Sequence, residues 1–272
     1  MDKTEIRKLP PMSALEFAIQ KSFSNFFFGL RLLLGWAILQ VPVLAAIYYG
    51  LLGASLPDFQ KPAPALIAAA VIVGLFNLLA SLSISVNWHR RILLGETPSG
   101  LRWWRLDGLV WRYLARFVII GVILAVIFGL AGAAFQFASA ESALGPVAKM
   151  AGTVVAALLG LLALFAWYRL STALPALAAG NADYGIGSAW RATRRNSLRF
   201  LGFTFWLLFA LAIGNGLTAG AVMAQQMMPN AWIMAGVAVF ATAMSLLTAL
   251  VSTSIATSHY YFFGEGKDYP ET

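Results

Sequence analysis

The sequence predicts an all-α polytopic membrane protein, six transmembrane helices joined by two basic interfacial elbow helices, and three observations carry that prediction. Sixty per cent of the residues are hydrophobic and 11% are charged, against about 25% charged in an average soluble domain. Stretches of 18 or more residues hold no Asp, Glu, Lys or Arg, the pattern a bilayer-spanning helix requires. The basic residues, which leave a net charge of +8, are gathered into a few segments between those stretches. Charge placed this way points to a membrane surface rather than to nucleic acid. With no cysteine in the chain, disulfides, thiolate metal sites and cysteine nucleophiles are excluded.

Three segments follow in order: a cytosolic tail over 1–12, one membrane domain over 13–263 and a second short tail over 264–272. The first residues mix both signs and lack an apolar core with a small-residue cleavage site, so the first span is expected to do the targeting. Ser13 and Glu16 have capping-box spacing, which places a helix start there. The mixed residues that follow read either as a helix lying in the interface or as the lengthened start of span one. Span one covers about 28–52, with Pro42 as a kink site and Arg31 able to snorkel to the phosphates. The link over 54–62 carries Asp58 and Lys61, which cancel.

Span two, about 63–88, carries Asn77, Ser81 and Ser85 at four-residue intervals, hence on one helix face. Span three covers about 117–137, span four about 147–167, span five about 200–224 and span six about 231–258. Span five has Ala212, Gly216 and Gly220 at the spacing that lets a neighbouring backbone approach closely. Span six bears Ser245, Thr248 and Ser252, a second polar stripe able to meet the first. Small polar residues in spans serve as hydrogen-bonding glue or, lining a continuous cavity, as a solute route. Six spans put both termini on one side together with every Lys and Arg except Lys61 and Lys149, which makes that side the cytoplasm.

The elbows are the most informative stretches. The first, 87–117, contains Trp88, Arg90, Arg102, Arg105, Trp111, Arg112 and Arg116; the second, 166–200, contains Trp167, Arg169, Trp190, Arg191, Arg194 and Arg195. Continued as helices, 101–117 gathers its four arginines on one side, and 188–199 does the same from Arg191 to Arg199. A basic face beside aromatic residues is what a helix against anionic phospholipid headgroups requires. An offset of 79 residues superimposes Trp88 on Trp167, Arg90 on Arg169, Gly108 on Gly187, Trp111 on Trp190, Arg112 on Arg191 and Arg116 on Arg195. That alignment suggests a parallel internal repeat, and two aromatic, arginine-rich interface loops can also match by chance.

In the second elbow, LPALAAG followed by a turn and SAWRATRRNSLRFLG resembles, over about residues 165–210, the membrane domain fused to some glycerophosphodiester phosphodiesterases and related stand-alone bacterial six-span proteins. The WHRRILLGE turn (88–96) is similar to uncharacterised α-proteobacterial proteins of that layout. The resemblance implies an inner-membrane module and carries over no catalytic residue, since the soluble phosphodiesterase domain is missing.

Chemistry-bearing residues are sparse. The two histidines, His89 and His259, close spans two and six, each followed shortly by Gly-Glu. They read as headgroup-level residues, or as a pair converging on a metal if their helices are neighbours. Every Asp and Glu lies in a tail, link or elbow, and no nucleophile or phosphate-loop motif occurs. The expectation is a non-catalytic accessory or scaffold subunit without cofactor or metal, binding anionic phospholipid and a membrane partner or a second copy of itself. The alternatives are a transporter or channel with a route between spans two and six, and a membrane enzyme whose cytosolic pocket holds His89 or Asp183.

Overall fold

The computed structural model describes residues 7–46, 64–139, 145–207 and 231–270, together with positions 216, 219, 220 and 223. Every described element is helical. In order these are α1 (Pro11–Ser24), α2 (Phe26–Ala46), α3 (Pro64–Leu94), a 3-10 turn (Gly100–Trp104), α4 (Gly108–Ser139), α5 (Pro146–Leu170), α6 (Ala173–Ala178), α7 (Ile186–Ala192) and α8 (Ala231–Phe263). A further helical run covers 197–207.

The expected six spans give way to four. Among the described residues, Phe26–Ala46, Ile67–Leu94, Gly100–Ala138 and Pro146–Ala178 are long and apolar enough to cross a membrane. Only 6 to 22% of the residues in their most apolar windows are buried, so their side chains face outward and need an apolar surround. Span five falls largely outside the described residues. The helix expected as span six, α8, is not among the four. Toward its C-terminal end this helix packs into the interior, where Ser254, Thr257, Ser258 and His259 are buried beside Leu250, Ile255, Tyr260 and Phe262.

Two further expectations are corrected. The single helix drawn through 101–117 is broken, because Arg105, Leu106 and Asp107 separate the 3-10 turn from α4. Asp107 Oδ1 accepts the N–H groups of Leu109 (3.0 Å) and Val110 (3.4 Å), acting as the helix N-cap. Arg102 and Arg105 therefore do not share a helix face with Arg112 and Arg116. The basic helix drawn through 188–199 stops at Ala192, and Arg195 takes a left-handed backbone conformation at φ 62°, rare for a residue with a Cβ. The internal repeat breaks at the same place: Arg116 lies inside the continuous helix α4, while its counterpart Arg195 lies in a turn.

Of the small residues expected in span five, Ala212 lies outside the described residues, and Gly216 and Gly220 have nothing among the described residues within 4 Å of where a Cβ would sit. The close approaches occur at Gly152, whose added Cβ would lie 2.8 Å from the Ala138 Cβ of α4, and at Gly29, beside Leu250 and Trp88. The α4 and α5 helices thus pack along small residues. Three apolar clusters then seat the helix ends: one around Leu9, Phe200, Phe203 and Phe263, one around Val86, Tyr113 and Leu174, and one joining Trp88 to Leu246 and Leu250.

Helix α1 starts at Pro11 with Pro10 at the N-cap and no side-chain cap, two residues before the expected Ser13. A proline in the first turn lacks only an N–H that would have no helical partner. Its inner face of Ala14, Leu15, Phe17, Ala18 and Ser22 is buried. It lies on α8 through Ser22 Oγ to Ser254 Oγ (3.0 Å) and Ser258 Oγ to the Ala14 carbonyl (2.9 Å).

Candidate functional site

The candidate site is a cap in which the segment before α1, both elbows and the segment after α8 are tied together. Its first elbow is shaped by two glycines. Gly95, at φ 66°, ends α3 by donating to the Arg91 carbonyl (3.1 Å), a left-handed C-cap. Gly100, at φ 53°, opens the 3-10 turn. Asn87 donates to the carbonyls of Arg102 (3.0 Å) and Trp103 (3.4 Å), holding the turn against α3. The Trp104 indole sits over Gly35 of α2, where a Cβ would come within 3.1 Å of its nitrogen.

Charge in this elbow is organised around Glu96. It accepts from Arg90 Nε at 2.6 Å and from Arg105 Nη2 at 2.9 Å, and Arg90 Nη1 continues to the Ala178 carbonyl of the second elbow (2.7 Å). The hydrogen bond from Arg90, followed by the fields of Arg90 and Arg105, holds the Glu96 carboxyl below its ordinary range against the opposing effect of burial. These residues border a pocket of about 300 Å³ lined by Arg90, Glu96 and Thr97 from the end of α3 and its loop. Ser99, Arg102, Arg105 and Asp107 from the 3-10 turn and its flanks complete it.

The second elbow is closed by α6, where Gly180 (φ 93°) and Asn181 donate to the carbonyls of Leu177 and Ala176, a Schellman ending. Arg116 reaches across from α4 to the carbonyls of Ala173 (2.8 Å) and Tyr184 (3.1 Å). Arg169 stacks over the Trp190 ring at 3.5 Å and donates to the Trp190 carbonyl (2.6 Å). Asn181 donates to the Tyr260 hydroxyl (3.1 Å), and burial raises the Tyr184 phenol above its usual range.

The segment before α1 and the segment after α8 are both sewn in. Asn196, fully buried, accepts from the Leu9 N–H (2.8 Å) and donates to the Arg7 carbonyl (3.0 Å), while Arg199 donates to the Leu9 carbonyl (2.7 Å). Arg7 pairs with Asp268, donates to the Phe262 carbonyl and lies over the Phe262 ring. Tyr269 packs against Phe17, Tyr261 and Phe262 and bonds Ser258. Asn196→Ala strands the buried Leu9 N–H at about 1–3 kcal/mol and leaves the part-buried Arg7 carbonyl without its donor. Hydrogen exchange at Leu9 should accelerate strongly in that variant, and exchange equal to wild type would contradict the stitch.

The expected headgroup residues divide into two groups. Arg102, Trp111, Arg112, Trp190, Arg191, Arg194 and Arg195 are exposed, Trp111 at 52% and Trp190 at 43%. Arg90, Arg116, Trp167 and Arg169 are half-buried and Arg105 is buried; Arg90, Arg116 and Arg169 spend their guanidiniums on backbone carbonyls. Trp88, expected at the headgroups, is instead fully buried and donates to Ser254 Oγ (2.9 Å).

The polar stripes are not brought together. Asn77, which donates to the Val73 carbonyl of its own helix, is exposed, as are Ser81, Thr248 and Ser252. Ser85 is half-buried beside Tyr113, and the Ser245 side chain lies outside the described residues. The α3–α8 contact holds Trp88 with Ser254 and His89 with Thr257 instead. Nor do the histidines converge. His89 bonds Thr257 Oγ1 (2.7 Å) and Tyr113 (3.0 Å), while His259 sits among the rings of Tyr168, Phe200 and Phe203. Among the described residues, no group of three or more His, Asp or Glu is placed to hold a metal ion.

Sequence reasoning missed Glu96, Asn181 and Asn196. Asn196 had a usable signal, since its carbonyl accepts the Phe200 N–H at 2.9 Å at the head of the run over 197–207, and Asn before an apolar run is a preferred N-cap. Comparison with protein-family models, with curated proteins and with solved structures finds no match. The chain is a helical protein with four candidate membrane-spanning helices among its described residues.

Proposed function

We propose that the protein is a non-catalytic accessory subunit of a bacterial inner membrane, seated on anionic phospholipid headgroups by its cap and offering its outward helix faces to a membrane partner or a second copy. The observation that carries this reading is the exposed set on the cap. Trp111 and Arg112 on α4 and Arg191 on α7 are exposed, the two arginines bonding only within their own helices, and Trp190, stacked on Arg169 through one face, is still 43% exposed. Exposed tryptophan beside exposed arginine suits the headgroup level, where the ring is half solvated and the guanidinium meets phosphate. Each such cation contributes about 1 kcal/mol near an anionic surface. In this reading the cap faces the cytoplasm.

The test is native mass spectrometry of the full chain released from nanodiscs of mixed phosphatidylcholine and phosphatidylglycerol. Wild type should retain phosphatidylglycerol several-fold over phosphatidylcholine. The Trp111→Ala, Trp190→Ala double variant should lose most of that preference while inserting normally. Equal retention of the two lipids by wild type overturns the reading.

A further inference from the structure

The elbow pocket holds more positive charge than the fold consumes. Its three guanidiniums, Arg90, Arg102 and Arg105, face two carboxylates. Glu96 is fully engaged by Arg90 and Arg105, and Asp107 is turned to the start of α4 through one oxygen. The second Asp107 oxygen is 3.9 Å from Arg105 Nε, beyond hydrogen-bonding reach. Arg105 Nε is therefore a buried donor without an acceptor on a side chain only 5% exposed. Buried guanidinium nitrogens left this way are rare, because each forfeits its hydration. Arg102, exposed on the same pocket, has no carboxylate partner among the described residues, and the Ser99 hydroxyl is likewise uncommitted.

We propose that this pocket is a binding site for one phosphate group. Its oxygens accept from the Arg102 guanidinium and the Ser99 hydroxyl, and the buried Arg105 guanidinium, held in place by Glu96, adds its charge behind them. An acceptor-only, doubly charged tetrahedral group matches a pocket lined by three guanidiniums and a hydroxyl with a net positive rim, which a neutral sugar or a carbonyl does not. A volume of about 300 Å³ has room for roughly ten waters, enough for a phosphate with an attached glycerol. The proposal rests on the headgroup reading and narrows it to a stoichiometric site on the first elbow, apart from the diffuse attraction of Arg112 and Arg191.

The phosphate can come from a lipid or from solution, and the experiment separates the two. The full chain in phosphatidylcholine nanodiscs is titrated with inorganic phosphate by calorimetry, and in parallel is released from nanodiscs containing phosphatidic acid into a mass spectrometer. One phosphatidic acid per chain, displaced by excess inorganic phosphate, supports the site with a lipid headgroup as its ligand. Saturable inorganic phosphate binding without preferential phosphatidic acid retention supports the site with a soluble ligand. In either case Arg102→Ala with Ser99→Ala should weaken binding at least about tenfold at an unchanged unfolding temperature, because neither side chain holds the elbow together. Binding by that variant equal to wild type, or no stoichiometric binding by wild type, overturns the proposal. If wild type still prefers phosphatidylglycerol over phosphatidylcholine in that second case, the headgroup reading stands and only the pocket falls.

Discussion

Replacing Glu96 with alanine should destabilise the cap by about 3 kcal/mol. The side chain is 25% exposed, but one of its partners, Arg105, is only 5% exposed, and removing the carboxylate leaves that guanidinium buried without a counter-charge. Arg90 would lose the same partner, and with it the fixed geometry that carries its second bond to the Ala178 carbonyl. The loss should appear as a fall of several degrees in the unfolding temperature of the detergent-solubilised protein. Glu96→Gln should recover part of it, because the amide oxygen still accepts from one guanidinium. The pH dependence has a definite sign. A carboxyl whose pKa is depressed in the folded state contributes its full stability above the unfolded value, about 4.3, and loses that contribution as pH falls through the folded value. Wild type should therefore hold its cap at pH 5 and weaken below about pH 4. Glu96→Gln should lack that limb. An alanine variant as stable as wild type would show that the Arg90, Glu96 and Arg105 network does not hold the elbow.

Trp88→Ala should cost about 3–5 kcal/mol, the range for truncating a large buried aromatic. The indole is fully buried, stacked near Phe28 and packed on Leu246 and Leu250, and it satisfies Ser254. It is the joint at which α2, α3 and α8 meet, since Gly29 of α2 lies against both Trp88 and Leu250. Trp88→Phe should keep most of the packing and lose about 1 kcal/mol for the hydrogen bond. Trp111→Ala provides the contrast. That side chain is half exposed, and its removal should change unfolding by less than about 0.5 kcal/mol while reducing anionic lipid retention. Equal destabilisation by the two substitutions would contradict the division between buried and exposed tryptophans.

That division explains what the sequence makes legible. The apolar runs announce the starts of α3 and α5 to within one residue, while α3 runs six residues and α5 three beyond the expected ends, because a long apolar stretch has few alternatives to a helix and its interfacial end is not marked by hydropathy. The fate of Trp88 is hidden, because a tryptophan beside His-Arg-Arg at a helix end reads the same whether lipid or another helix covers it. Only the partner decides, and Leu250 is more than 160 positions away. The elbows fail for a local reason. Drawing one helix through Arg102 and Arg116 ignores Asp107-Gly108, a capping signal in the middle of the run, and drawing one through Arg191 and Arg199 ignores Asn196. In both places a short polar side chain competes with the helix for backbone partners. The expected count of six spans treats every apolar run alike, whereas α8 spends Ser254, Thr257 and Ser258 on interior contacts.

The segments before α1 and after α8 and both elbows are tied into one cap, and the proposed function places that cap on one face of the membrane and the α4–α5 junction on the other. With no native cysteine, single cysteines can be introduced without background. The decisive measurement is labelling of Arg112→Cys, Ser188→Cys, Lys267→Cys and Lys149→Cys variants in sealed vesicles by an impermeant maleimide. The first three should react from the same face and the fourth, at the start of α5, from the other. Reaction of Arg112→Cys and Lys267→Cys from opposite faces would contradict the cap.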